Sequence, residues 1–133
     1  MRPFRSSRTF GNLQSGGCGV ANISDNVLAF VRCALYGDVL PSFPAVAING
    51  AVFQDSCSWL EVAVVSETGS EEQAEFHCRI LHRGRQKDFL GFCRARSAVI
   101  ESAILATRLA VYGCEGVLDS LNQYMKVVEK TGS

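Results

Sequence analysis

Residues 94–112 read RARSAVIESAILATRLAVY and form the longest stretch of the chain with an unbroken helical pattern. The stretch contains no glycine or proline, and alanine, leucine, isoleucine and arginine, which are good to fair helix formers, fill most of it. Most of its circumference is apolar, as is typical of a helix buried on most sides. We therefore expect one long helix, covered by surfaces that the rest of the chain supplies.

A polar stripe runs along this predicted helix. Arg94, Glu101 and Arg108 recur every seven residues, so they share one face with a drift of about 20° per heptad. Two interpretations are open. The stripe is the solvent edge of the helix, or Glu101 is held by Arg94 or Arg108 from a partner element or subunit.

Length and composition indicate a single ordinary domain. The chain has 133 residues, and a hydrophobic share of 47% is enough to fill a core. Thirteen basic side chains balance thirteen acidic ones, which argues against binding nucleic acid through bulk charge. No apolar run reaches the roughly 18 residues of a membrane span, and the N-terminus lacks the apolar core of a signal peptide. We expect a cytoplasmic protein with neither a membrane nor nucleic acid as partner.

The six cysteines are spread along the chain and include no CxxC pair. Without a secretion signal we expect reduced thiols, most of them small buried hydrophobes. Zinc needs clustered ligands, and the sequence offers only two histidines, His77 and His82, so we expect no metal site.

The N-terminal segment concentrates basic and hydroxyl side chains. Residues 1–24 contain three arginines and no acid, whereas residues 61–75 contain five glutamates and no base. Pro3 disfavours a helix, so residues 2–14 are predicted to be extended or looped. Arginine forks and hydroxyl groups match phosphate oxygens, but composition alone favours a solvated, frayed terminus.

Two further helices are predicted. Residues 26–36 carry one apolar face, with Ser24 or Asp25 as the N-cap. Gly37 is predicted to end this helix in a left-handed conformation. Residues 117–130 place their apolar side chains along a single face, as in an amphipathic helix. Gly113 to Gly116 separate this last helix from the helix predicted over residues 94–112. We therefore expect the two helices to form an αα-hairpin.

The centre of the chain predicts antiparallel sheet. Asn49-Gly50 lies between two short apolar runs and has the sequence of a two-residue hairpin turn. Alternating patterns predict strands over residues 59–65 and 74–81, followed by a polar turn over residues 82–88 around Gly84. No catalytic signature accompanies these strands, so a bound cofactor is the more natural source of any chemistry.

Four segments together resemble a known family: RPFRSSRTFGNLQ (2–14), GVANISDNVLAFVRCAL (19–35), FCRARSAVIESAILATRL (92–109) and YMKVVEKTG (124–132). The family is an uncharacterised group of prokaryotic proteins with an FMN-binding split β-barrel of the flavin-reductase type and a helical C-terminal region. The resemblance covers residues 2–132. It implies an α+β fold, with a split antiparallel β-barrel in residues 1–89 and an αα-hairpin in residues 90–133.

The resemblance also implies an incomplete barrel. Members of the family normally carry further strands before the segment that resembles RPFRSS, and with them a motif that lies against the flavin ring. Here that segment follows Met1 directly. We therefore expect a partial barrel with open strand edges. Three explanations are open: the gene product is truncated, a second subunit covers the edges, or FMN binding has been lost.

The function that the resemblance implies is FMN binding by a cytoplasmic, flavin-reductase-like homodimer of unknown substrate. The phosphate would be bound by Arg5, Ser7, Arg8, Thr9 and Asn12, and catalysis would be that of an FMN-dependent oxidoreductase. The alternative is a non-catalytic dimerising remnant or interaction module that has lost flavin binding. In either case Glu101 and Arg108 would form a buried or interfacial ion pair that fixes the hairpin on the barrel.

Overall fold

The computed structural model describes residues 1–132, which separate into two compact units. The first unit contains residues 1–24 and 41–88, and the second contains residues 25–40 and the chain from Phe89 onward. Antiparallel sheets in the first unit and helices in both confirm the predicted α+β class. The sheets formed by the described residues do not close into a barrel.

Two antiparallel sheets build the first unit. The strands, in chain order, are β1 (Cys18–Ile23), β2 (Ser42–Pro44), β3 (Ala51–Phe53), β4 (Ser58–Gly69) and β5 (Ala74–Arg85). One sheet has the order β1-β4-β5, and β2 pairs with β3 in the other. The long β4–β5 hairpin forms the centre of this unit, since β1 pairs with β4 and helix residues pack against β5.

Strand β5 continues to Arg85, so the predicted polar turn over residues 82–88 is wrong for its first half. Gly84 is the cross-strand partner of Trp59, and a Cβ atom on it would lie 2.0 Å from Cζ2 of the indole. The indole occupies the space that a side chain would need. Gly84 is therefore required by close packing inside a strand, and its presence does not mark a turn.

The predicted hairpin around Asn49-Gly50 forms, but its connection spans residues 45–50 instead of two residues. The backbone N–H groups of Val46 and Ala47 donate to the carboxylate of Glu61, at 3.0 and 2.6 Å. Because these groups bind a side chain, they do not pair across the hairpin. The turn is consequently wider than the Asn-Gly sequence predicts.

Helix α1 (Arg8–Gly16) begins inside the segment that we predicted to be extended or looped. Ser7 is its N-cap, and the Ser7 hydroxyl oxygen accepts the backbone N–H of Phe10 at 3.2 Å. Pro3 restricts only itself and the residue before it, so it does not prevent a helix that starts five positions later.

Helix α1 packs against the sheet through its second turn. Leu13 is buried in one cluster with Ala74 and Phe76 of β5. The ring of Phe10 lies 5.8 Å from that of Phe76, centroid to centroid. This packing fixes the start of α1 relative to the beginning of β5.

The second unit is helical. It contains α2 (Val27–Val31), which continues as a π-helical turn (Arg32–Tyr36), then α3 (Arg94–Ala106), α4 (Leu109–Tyr112) and α5 (Cys114–Thr131). The cap of α2 is Asn26, whose side-chain oxygen accepts the N–H of Ala29 at 3.0 Å, so neither Ser24 nor Asp25 has the predicted role. The predicted end at Gly37 is confirmed by its left-handed φ of 68°.

Residues 94–112 form two helices, α3 and α4, so the single predicted helix is wrong at its C-terminal end. The Thr107 hydroxyl donates to the backbone oxygen of Ile104 at 2.7 Å, and Arg108 has left helical geometry at φ −112° and ψ 17°. A threonine hydroxyl that binds the backbone competes with helix continuation. Alanines on α3 pack against α5, as the predicted αα-hairpin requires.

Glu101 and Arg108 do not form a buried pair within the chain. Both are exposed, and neither has an ion-pair partner in residues 1–132. Because Arg108 lies beyond the end of α3, it does not share the face of Glu101. The prediction of an intrachain pair is therefore wrong. Within a single chain both side chains are exposed to solvent, and a pair between subunits stays a prediction.

Candidate functional site

The five residues predicted to bind phosphate lie where the N-terminal arm (residues 1–7) meets helix α1. Arg5 and Ser7 belong to the arm, Arg8 and Thr9 are the first two residues of α1, and Asn12 lies one turn further along. Arg8, Thr9 and Asn12 are exposed, whereas Arg5 and Ser7 are half-buried. The arrangement thus has a fixed inner part and an accessible outer part.

The arm is held against the edge of the sheet by backbone hydrogen bonds. Phe76 donates its N–H to the oxygen of Met1 at 2.8 Å, and Ala74 donates to Pro3 at 3.1 Å. The arm therefore extends the sheet beyond β5. Since α1 follows directly, these bonds determine where the helix begins and which way its first turn faces.

The start of α1 presents donors that the chain itself does not use. Within the described residues, the backbone N–H groups of Arg8 and Thr9 have no hydrogen-bond acceptor, and the first turn contains no acidic residue. The Ser7 hydroxyl accepts one bond and retains its own O–H for donation. Free N–H groups and the helix dipole together attract anions such as phosphate.

Arg5 is fixed beside this helix end by three contacts. Its Nη1 donates to Oε1 of Glu67 at 2.6 Å, and its Nε donates to the backbone oxygen of Ser70 at 2.8 Å. The guanidinium carbon lies 5.1 Å from the ring centroid of Phe10, in the first turn of α1. The cation is thereby held between the β4–β5 turn and the start of the helix.

An open recess adjoins Arg5 at the β4–β5 turn. It has a volume of about 590 Å³ and is lined by Arg5, Gly69, Ser70 and Glu71. The recess is open to solvent and therefore accessible to a phosphate group. Among its lining residues, Arg5 is the cation and Glu71 the anion.

The sequence did not single out the most deeply buried charge of the first unit. The side chain of Glu61 is 0% exposed and accepts hydrogen bonds from the N–H groups of Val46 and Ala47 and from Nε1 of Trp59 at 3.1 Å. Burial raises the pKa of this carboxyl, but the three hydrogen bonds and nearby His82 outweigh that effect, so the pKa lies below its ordinary value. With its oxygens bonded, Glu61 is a structural anion and not a general base.

Other classes of site find little support in the residues described. No group of three or more histidine, cysteine or acidic side chains in residues 1–132 could hold a metal ion. All six cysteines are free thiols, but only Cys57 is buried, so the expectation that most of them are buried is wrong. In the same part of the chain, no helix combines the length and hydrophobicity that crossing a bilayer requires.

Comparison with known proteins gives two family-model matches. Residues 1–87 match the N-terminal domain of a protein of unknown function, DUF447, and residues 93–133 match a second model of that name. A solved structure with a similar fold is that of the FMN-bound protein MM1853 from Methanosarcina mazei, which is described under the same family model. The two structures match with a TM-score of 0.85 and 21% sequence identity. The match covers 100% of this chain and 73% of that one. At this identity the likeness shows a shared fold. No curated protein matches.

Proposed function

The chain belongs to the DUF447 family of proteins of unknown function, and from that premise we propose that it binds FMN and holds the flavin phosphate at the junction of the arm and α1. The cofactor is supported by the FMN-bound protein of the same family and fold. The position of the phosphate is supported by one observation. The backbone N–H groups of Arg8 and Thr9 are unused, and the first turn of α1 contains no acidic residue.

In this proposal each residue has a distinct role at the phosphate. The N–H groups of Arg8 and Thr9 and the hydroxyls of Ser7 and Thr9 donate to phosphate oxygens, and the guanidinium groups of Arg5 and Arg8 balance the dianion. Asn12, one turn along the same face as Arg8, donates through its amide. Bound FMN would supply electron or hydride transfer, which makes an FMN-dependent oxidoreductase of flavin-reductase type the corresponding enzyme class.

We expect FMN to stabilise the purified protein, and riboflavin to do so less. A ligand at a hundredfold excess over its Kd adds about 2.7 kcal/mol to the free energy of unfolding. Riboflavin lacks the phosphate and should bind more weakly, so it should raise Tm less at the same concentration. Thermal melts with each flavin, and titrations followed by flavin fluorescence, measure both effects.

The Arg8→Gln variant locates the phosphate. A hydrogen bond to a charged group is worth about 1.5–3 kcal/mol, so FMN affinity should fall about tenfold to a hundredfold while riboflavin affinity stays the same. Arg83→Gln is the matched control. Ala74 is the residue of β5 that pairs with Pro3 of the arm, and Arg83 lies nine positions further along this strand, about 30 Å away. A protein that keeps no flavin and shows no shift in Tm would instead be the non-catalytic interaction module.

We also propose that the protein is a homodimer with a split-barrel domain in residues 1–89 and a helical hairpin in residues 90–133. Large apolar side chains in the second unit support the dimer, because their exposed fractions are 67% for Leu28, 76% for Val111 and 54% for Tyr112. Sedimentation equilibrium should give twice the monomer mass, and Val111→Asp should shift it towards the monomer. A monomer at micromolar concentration would contradict the dimer.

A further inference from the structure

The contact between Glu67 and Arg5 joins parts of the chain that are 62 residues apart. Glu67 lies near the end of β4, and its carboxylate meets the guanidinium at 2.6 Å with both side chains about one-third exposed. In the turn that follows β4, the backbone oxygen of Ser70 accepts the Nε–H of Arg5 at 2.8 Å. These contacts restrict a long cationic side chain that would otherwise sample many rotamers.

These contacts leave most of the arginine's donors free. A guanidinium carries five N–H groups, of which one is used by Ser70 and one by Glu67. Three N–H groups remain. The ring of Phe10 contacts the guanidinium and keeps it beside the first turn of α1. Arg5 can therefore keep its contact with Glu67 and still bind an anion placed at the helix start.

We propose that Glu67 is a positioning residue, which orders Arg5 for binding the phosphate of FMN. The inference rests on the proposed function, because it concerns the same phosphate. Glu67 acts through its carboxylate oxygen, which accepts a hydrogen bond from Nη1 of Arg5. The opposite role would be competition, in which Glu67 occupies Arg5 and the phosphate has to displace it.

The variants Glu67→Gln and Glu67→Ala separate these roles. Immobilising a flexible side chain on binding costs about two- to tenfold in affinity, so Glu67→Ala should weaken FMN binding by that factor and leave riboflavin binding unchanged. Glu67→Gln keeps an acceptor oxygen for Nη1 and should retain most of the FMN affinity. A competitor would give the reverse result, with tighter FMN binding in both variants.

Glu75→Ala is the matched control. Glu75 pairs with Arg2 of the same arm at 3.1 Å, so its loss removes a comparable arm contact without touching Arg5. The ratio of the FMN and riboflavin Kd values should therefore change in Glu67→Ala and stay constant in Glu75→Ala. A change of equal size in both variants would reveal general loosening of the arm and overturn the role of Glu67.

Failure of the proposed phosphate site and failure of the positioning role of Glu67 give different results. If the unmodified protein binds FMN and riboflavin with the same Kd, the phosphate site itself is wrong and the positioning role is wrong with it. If the unmodified protein clearly prefers FMN but Glu67→Ala keeps that preference, only the role of Glu67 is overturned. Weaker FMN binding in Glu67→Ala, rescued in Glu67→Gln, supports the inference.

Discussion

Replacing Gly84 by alanine is expected to lower the free energy of unfolding by about 1–3 kcal/mol or more, the usual range for overpacking. The new Cβ would lie 2.0 Å from Cζ2 of Trp59 and 2.2 Å from Cε2. The indole cannot easily move away, because it meets the Phe43 ring edge-on at 5.6 Å and donates Nε1–H to Glu61. Relief of the clash would break one of these contacts.

Urea unfolding measures the effect, and Gly116→Ala serves as its control. Gly116 lies inside α5, where an added Cβ would meet no atom within 4 Å. Alanine is favoured over glycine in a helix by about 0.5–1 kcal/mol, so this variant should gain stability. If Gly84→Ala were as stable as the unmodified protein, the close packing of Trp59 on β5 would be wrong.

Glu61→Gln is expected to destabilise the first unit strongly at neutral pH. The carboxylate accepts three hydrogen bonds, from Val46, Ala47 and Trp59. Glutamine offers one acceptor oxygen, and its amide NH₂ group would face an N–H donor. A buried donor would thus lose its partner, which is one of the few ways in which a single substitution causes a large loss.

The loss should depend on pH in a defined direction. The pKa of Glu61 is lower in the folded protein than its ordinary value of 4.5, so folding favours the ionised form. The stabilisation that ionised Glu61 provides is complete above the ordinary value and disappears as the pH falls through the lowered folded pKa. Melting curves of the two proteins should therefore differ most at neutral pH and converge as the pH falls below 4.5 and through the lowered pKa of Glu61. A difference in Tm that is independent of pH would contradict this account.

Except for α1, the helices and the long strands could largely be predicted from the sequence, because their patterns are local. The end of α3 could not, since it depends on the Thr107 hydroxyl binding the oxygen of Ile104, which competes with an otherwise good helical sequence. Gly84 was misinterpreted for a different reason. Glycine marks turns in most sequences, and only the position of Trp59 across the sheet shows that here it makes room for a ring.

The candidate site was predictable only in part. The residue types between Arg5 and Asn12 indicated phosphate chemistry, but their selection depended on the family resemblance, and the helix that orients them was missed. The acid-free arm and the acid-rich residues 61–75 did carry a usable signal, because blocks of opposite charge tend to pair. Which glutamate meets which arginine depends on the register of the β4–β5 hairpin, and this cannot be read from composition.

The way in which the arm joins the sheet has a consequence for the order of folding. The β4–β5 hairpin is local in sequence, whereas Met1 and Phe76 pair across most of the first unit. Contacts that close long loops carry a larger entropic cost and usually form after local ones. We therefore expect the arm to dock late, on a hairpin already formed. The ability to bind an anion would then appear only at the last stage of refolding.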